Sequence, residues 1–192
     1  MNPTRRFKPF WRWEALLFAV VLVAAMAASL VARPEWPVVG PIVSVLLLAV
    51  AIAAALALIV PLLRRTGRDS ENSRHDLGGD QVVPFPGLRD EPTRVRVVES
   101  ERRQTSIEAA VALSREVRAV LTPDASRWLG RELRVAVDLV DDRGGVHRAG
   151  FVPHDLDAQV DALLKQLPAG QVAEVTVTVV GRARPFTVDL QL

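Results

Sequence analysis

The chain has 192 residues, of which 49% are apolar, and it contains no cysteine and no tyrosine. The missing cysteines exclude a disulfide framework, thiolate catalysis, and zinc or iron–sulfur sites built on cysteine ligands. The formal charge is only +2, yet the pI is about 9.9. Without Tyr or Cys almost no group titrates between about pH 8 and pH 11, so a small positive excess raises the pI this far.

Two long uncharged runs follow a basic N-terminal segment, residues 1–13. Ala15 to Ala32 holds 18 uncharged residues, and Val38 to Leu63 holds 26. An 18-residue helix is about 27 Å long, and about 20 apolar residues span the hydrocarbon core of a bilayer. The sequence therefore predicts transmembrane helices over 14–33 and 38–63, joined by a short outer loop of residues 34–37.

Two other interpretations of these runs fit less well. Helices that pack with one side on the core of a soluble domain would show a polar face, and neither run has one. A cleaved signal peptide ending near Ala25-Met26-Ala27 would have an apolar region of only about 7–15 residues. Neither run contains an ionisable residue, which argues against a transporter, a proton path or a channel. We expect the hairpin formed by these two helices to act as an anchor in the lipid bilayer.

The charges that flank the two runs predict an orientation. Basic residues precede the first run and follow the second, whereas the loop between them holds only Arg33 and Glu35. The positive-inside rule then places both ends of a two-span protein of the cell membrane in the cytoplasm. The residues that we expect to determine this topology are Arg5, Arg6, Lys8, Arg12, Arg64, Arg65 and Arg68.

Residues 64–92 are rich in polar residues, Gly and Pro, and they predict a flexible linker. Within it, Val82 to Pro86 form an apolar island that either docks on the following domain or binds a partner.

Apolar periodicity predicts a small cytoplasmic α+β domain over 93–192. A Thr105-x-x-Glu108 capping box opens a helix that is expected to run to about Leu121 and to end before Pro123. A second helix is predicted over 155–167. The predicted strands are 94–99, 132–140, 146–152, 172–180 and 186–192. The order β-α-β-β-α-β-β favours two helices on one face of a mainly antiparallel sheet.

The domain offers little sign of chemistry. Residues 94–192 contain 14 basic and 14 acidic side chains, so the positive excess lies outside the domain and nucleic-acid binding is not expected. Nothing matches a phosphate loop, a dinucleotide fingerprint or a nucleophile elbow, so we predict neither catalysis nor a cofactor. His147, His154, Asp155 and Asp157 allow a metal site to be drawn, but Asp residues are also expected at the start of a helix.

The layout resembles the membrane anchors of the alkaline-shock protein family. The residues that carry the resemblance are Leu133 to Val140, Gly150, Asp155 to Leu167, Gly170, and Val172 to Gly181. Together with the hairpin they cover roughly two thirds of the chain. The resemblance implies a non-enzymatic scaffold that recruits soluble relatives to the membrane during envelope or alkaline stress.

Two classes of function follow from these features. In the first, the hairpin fixes the location and the domain binds a cytoplasmic protein or a second copy. The last strand, with Phe186, Val188 and Leu190, would then be an open sheet edge that accepts a partner strand. In the second, the domain is a membrane-tethered sensor or regulatory domain that binds a small ligand or metal, or an accessory subunit of a membrane complex.

Overall fold

The structure is a computed structural model that describes residues 5–10, 13–31, 39–63, 76–88, 91–127 and 130–192. The chain divides into two compact units. One contains the described parts of 8–66 and 128–131, and the other contains those of 1–7, 67–127 and 132–192. The predicted outer loop 34–37 and the first part of the predicted linker, 64–75, lie outside the described residues.

The first unit is built on two apolar helices, α1 (Glu14–Val31) and α2 (Val39–Leu63). They pack against each other, and the small side chains of Ala24 and Ala54 are buried. Large apolar side chains such as Met26 and Val45 are about two-thirds exposed. Only 6% of the most apolar window of each helix is buried within the chain. Both are long and apolar enough to cross a membrane.

The second unit is a domain with two β-sheets. The larger sheet contains β1 (Arg6–Phe7), β2 (Gln81–Pro84), β4 (Arg118–Ala125), β5 (Glu132–Val140), β6 (Val146–Phe151) and β7 (Gln171–Val175). The smaller sheet contains β3 (Arg94–Arg96), β8 (Val177–Val180) and β9 (Thr187–Gln191). Two helices accompany them, α3 (Gln104–Ala112), which follows a short 3₁₀ helix, and α4 (His154–Leu164).

The strand pairings run in a closed ring. In the larger sheet the order is β1-β5-β4-β7-β2, and β6 also pairs with β5. β7 continues past Thr176 into β8, which pairs with β9, and β9 pairs with β3. Val98, just beyond β3, returns to β6 by an antiparallel bridge to Phe151. All of these pairings are antiparallel except that of β2 with β7.

The core forms where the inward faces of both sheets meet the two helices. Every second residue of β5 contributes to it, namely Val135, Val137 and Leu139, because side chains alternate across a strand. Ile107 of α3 and Val160 of α4 join the same cluster and have no exposed surface. The predicted hairpin of β5 and β6 and the second predicted helix are confirmed by these elements.

The prediction that the first helix of the domain runs to about Leu121 is wrong beyond Ala112. α3 ends at Ala112, and residues 118–125 form β4, which lies between β5 and β7. The apolar residues of this stretch satisfy a helical repeat as well as a strand, since short apolar runs do not distinguish the two. The middle of β4, Val120 and Leu121, is at most 1% exposed. Hydrogen bonding to β5 on one side and to β7 on the other therefore makes residues 118–125 a strand.

Three further differences concern the predicted linker, the predicted strand 172–180 and the number of sheets. Residues 81–84, within the predicted linker, form β2 in parallel register with β7, so the apolar island docks on the domain. The predicted strand 172–180 is interrupted at Thr176 and contributes to both sheets. The two sheets also differ from the single sheet expected, although an α+β domain follows the apolar helices.

Candidate interaction site

Residues 5–7, which precede the first apolar helix in the sequence, belong to the domain. Arg6 and Phe7 form β1, which pairs antiparallel with the start of β5, with Arg6 opposite Leu133 and Phe7 opposite Glu132. The Nε atom of Arg5 lies 3.8 Å from Glu132 Oε1. We call Arg5–Phe7 the N-terminal arm.

The side chain of Arg6 is surrounded by carboxylates. Its Nη1 atom lies 2.9 Å from Asp124 Oδ1 and also pairs with Asp161, and its Nη2 atom lies 3.0 Å from Asp157 Oδ2. Lys165 Nζ is the second cation, 2.8 Å from Asp161 Oδ2 and 3.3 Å from Asp124 Oδ1. We call Asp124, Asp157, Asp161 and Lys165 the acidic cleft.

The cleft is assembled by α4 and β4. Asp157, Asp161 and Lys165 are spaced by four residues, so they lie along one side of α4 and its C-terminal end. Asp157 also accepts a 2.6 Å hydrogen bond from the backbone of Val135, which fixes the start of α4 on β5. Asp124 has a positive φ of 53° and lies where the register between β4 and β5 shifts. Such a bulge redirects a side chain out of the sheet.

The charges of the cleft stabilise each other. Burial by itself lowers the pKa of Arg6, but the hydrogen bond to Asp157 and the charge of Asp161 outweigh it and raise the pKa. The hydrogen bond to Asp161 raises the pKa of Lys165, with burial opposing and the charge of Asp124 adding to the rise. Both cations therefore stay protonated throughout the physiological pH range.

The predicted topology determinants fall into two groups. Arg5 and Arg6 form the ion pairs described above, and Lys8 Nζ lies 2.9 Å from Glu14 Oε1 at the start of α1. The other four, Arg12, Arg64, Arg65 and Arg68, lie outside the described residues.

The strand predicted as an open edge is a central strand. β9 pairs with β3 on one side and with β8 on the other, so both of its hydrogen-bonding edges are occupied. Phe186, Val188 and Leu190 are at most 3% exposed and belong to the core. They cannot contact a partner in the folded domain. The outer strands of this sheet are β3 and β8.

The two outer strands differ in charge. On β3, the exposed guanidinium groups of Arg94 and Arg96 share the carboxylate of Asp189, at 2.9 and 3.2 Å. Charged side chains on an edge discourage the addition of another strand. β8 has the sequence Val-Thr-Val-Val and carries no charge, and Val180 is 46% exposed.

The backbone of β8 is open to a partner. The hydrogen bonds between β8 and β9 continue the pattern of the 3.0 Å bond from Gln191 N to Thr176 O. The backbone N–H and C=O groups of Thr178 and Val180 therefore point toward β9, and those of Val177 and Val179 point away from it. Among the described residues, none forms a backbone hydrogen bond with the outward groups of Val177 and Val179. β8, and not β9, is therefore an open and uncharged edge of this sheet.

The two histidines considered for a metal site lie in separate ion pairs. His147 Nε2 is 3.0 Å from Asp141 Oδ2, and His154 Nδ1 is 3.6 Å from Glu132 Oε1. Asp157 is directed to Arg6 and Val135 instead. Within the part of the chain that the structure describes, no three His, Asp or Glu residues are placed to hold a metal ion.

Two more ionic contacts lie largely inside the domain, the first fully buried and the second with Glu99 17% exposed. Asp138 Oδ1 lies 2.9 Å from Arg148 Nε with both side chains at most 3% exposed, and Thr122 donates to the same carboxylate. Arg134 pairs with Glu99 and lies over the ring of Phe151. Burial lowers the pKa of Arg134, and the charge of Glu99 opposes this. These contacts hold the sheet together and offer no access to a ligand.

Comparisons with protein-family models, with curated proteins and with solved structures find no significant match to the chain.

The acidic cleft was not predicted from the sequence, although one signal was present. Asp157 and Asp161 are spaced by four residues beside the apolar positions Val160 and Leu164, so two like charges lie close together near the core. Such a pair requires a cation, and Lys165 alone does not neutralise it. No local pattern indicated that Arg6, more than 100 residues away, would supply the second positive charge.

Proposed function

We propose that the protein is a non-enzymatic membrane anchor that presents a small interaction domain to protein partners. The open, uncharged edge of β8 carries this proposal, because an edge of this kind accepts an extended segment of another chain as an additional strand. Two long, exposed apolar helices support anchoring in a bilayer. The hydrogen-bonding groups of Val177 and Val179 would bind the backbone of the partner, and Val180 would contact its side chains.

The proposed topology has both ends of the chain in the cytoplasm. Two crossings would return the chain to the side of the membrane from which it started. The pairing of β1 with β5 supports this topology, because β1 precedes the two spans, β5 follows them, and both must lie on the same side to pair. The basic flanks favour the cytoplasmic side. Reporter fusions after residue 36 and after residue 70 test this proposal, and an external signal at residue 70 would contradict it.

The resemblance to the membrane anchors of the alkaline-shock protein family suggests the physiological setting. A scaffold of that kind would bring soluble proteins to the membrane during envelope or alkaline stress. The balanced charge of the domain, with 14 basic and 14 acidic residues over 94–192, supports a protein partner rather than a nucleic acid.

Crosslinking in intact cells tests the β8 edge. The variant Thr178→Lys/Val180→Lys places two charges on exposed positions of this strand. Leu113→Lys is the matched control, because Leu113 is another exposed apolar side chain of the domain, at 40% exposure, and does not belong to β8. We expect the crosslinked partners of the wild type to be lost in the β8 variant and kept in the control. Identical partners in all three proteins would refute the proposed docking edge.

A further inference from the structure

The edge of β8 is open, whereas the acidic cleft is a site that already holds an occupant. We propose that the acidic cleft and the adjoining end of β5 form a second binding site, for an extended segment that carries an arginine. The N-terminal arm is its resident occupant, and a partner segment of the same chemistry has to displace it. This site is separate from β8 and goes beyond the proposed function.

The backbone contact of the arm is a short strand addition. β1 has two residues, Arg6 and Phe7, and pairs only with Glu132 and Leu133. Beyond Phe7, the amide of Lys8 donates a 2.7 Å hydrogen bond to the carbonyl of Arg131. A ladder of this length provides few hydrogen bonds, so most of the specificity must come from the side chain that enters the cleft.

The cleft selects a guanidinium. Two nitrogen atoms of Arg6 reach three carboxylates that come from two different elements, α4 and β4. A planar fork with several fixed donors fits this arrangement, whereas an ammonium group is a single point charge. With Arg6 removed, three aspartates would face only Lys165, which leaves a net charge of −2 in a partly buried place. The empty cleft therefore attracts a cation.

The site is accessible to a competitor. The side chain of Arg6 is 22% exposed, and that of Asp124 is 45% exposed. By contrast, the Asp138–Arg148 pair is at most 3% exposed and could not exchange its partner without unfolding. The ion pairs of the cleft can thus be replaced one at a time by those of an incoming arginine.

A labelled peptide with the sequence of residues 1–10 is the probe, and the full-length protein in detergent micelles is the receptor. The tethered arm competes at an effective concentration of the order of millimolar, so the peptide should bind the wild type weakly. Arg6→Gln in the protein weakens the arm, and we expect it to raise the affinity for the peptide about tenfold or more. Failure of the peptide to bind the Arg6→Gln protein would overturn the proposal.

Changes in the peptide and in the cleft separate specific binding from general charge attraction. A peptide with Arg6→Lys should bind the Arg6→Gln protein about tenfold more weakly, because it keeps the charge but loses the fork. Adding Asp161→Asn or Asp124→Asn to the Arg6→Gln protein should weaken its binding of the unmodified peptide by a similar factor. Asp124 is half-exposed, so its variant remains informative if Asp161→Asn does not fold.

Glu108→Gln is the matched control, because Glu108 is a half-exposed carboxylate that pairs with Arg184 outside the cleft. We expect it to leave peptide binding unchanged. Equal binding of the Arg and Lys peptides, or equal effects of Glu108→Gln and Asp124→Asn, would refute the arginine site. Crosslinking at β8 does not depend on this result, so the two proposals fail separately.

Discussion

Gly150 lies where β6 meets the segment after β3, and replacing it with alanine tests the closure of the strand ring. Its φ is +155°, a value that residues with a Cβ rarely adopt. An added Cβ would overlap the carbonyl oxygen of Val98 and would lie 2.7 Å from Val97 Cγ1. Both obstacles belong to packed parts of the domain, so the two segments would have to separate.

The cost can be worked out from what separation breaks. Val98 and Phe151 exchange two backbone hydrogen bonds of 3.0 Å, each worth about 0.5–1.5 kcal/mol. Forcing alanine into a disfavoured φ adds about 1–3 kcal/mol. We therefore expect Gly150→Ala to lower the free energy of unfolding by about 2–6 kcal/mol. The total free energy of unfolding of a typical domain is about 5–15 kcal/mol, so this loss is a large part of it.

Pulse proteolysis in urea, on the full chain in detergent, measures the loss. Gly79→Ala is the control, because an added Cβ there meets nothing within 4 Å. We expect the control to stay within about 0.5 kcal/mol of the wild type. A Gly150→Ala protein as stable as the control would refute the close approach of the two segments.

Three other changes test the charges of the domain. Asp138→Ala removes the carboxylate that pairs with the buried Arg148 and should cost about 3–5 kcal/mol. The double variant Asp138→Leu/Arg148→Met should recover much of this loss in the same urea assay. The hydrogen bond from His147, together with the backbone N–H of Gly145 and despite burial, lowers the pKa of Asp141. The contribution of the Asp141 carboxylate to stability is therefore present above about pH 4 and is lost as the pH falls through its lowered pKa. The unfolding midpoints of wild type and Asp141→Asn should differ at pH 7 and converge in acid. The hydrogen bond to Asp161 raises the pKa of Lys165, so the stability difference between wild type and Lys165→Met should persist below about pH 10 and disappear at higher pH.

Local signals predicted the parts of the fold that local interactions determine. Strict alternation over 132–140 and the Asp141–Gly145 turn predicted the β5–β6 hairpin. Asp141 stabilises that turn by accepting 2.8 Å hydrogen bonds from the amides of Arg143 and Gly145. The apolar face of α4 was equally visible, because Val160 and Leu164 are one turn apart and both are buried.

The failures occurred where distant parts of the chain decide the structure. The stretch 113–125 has an apolar spacing that suits a helix, and only its position between β5 and β7 makes it a strand. The end of the sequence resembled an edge strand, but β3, almost 100 residues earlier, covers one side of β9. Arg6 is 118 residues from Asp124, one of its partners, so no sequence window contains both.

Arg6 has two proposed roles, and the order of synthesis reconciles them. The residues before the first span emerge and meet the membrane before Asp124, Asp157 and Asp161 have been made, so Arg6 is a free charge at the moment when the topology is set. It enters the cleft only after the domain has folded. Arg6→Lys separates the two roles, because it keeps the charge and loses the fork. We expect unchanged signals from reporters after residues 36 and 70, together with tighter binding of the peptide of residues 1–10. An inverted topology, or a peptide affinity equal to that of the wild type, would show that the charge of Arg6 and its shape do not act separately.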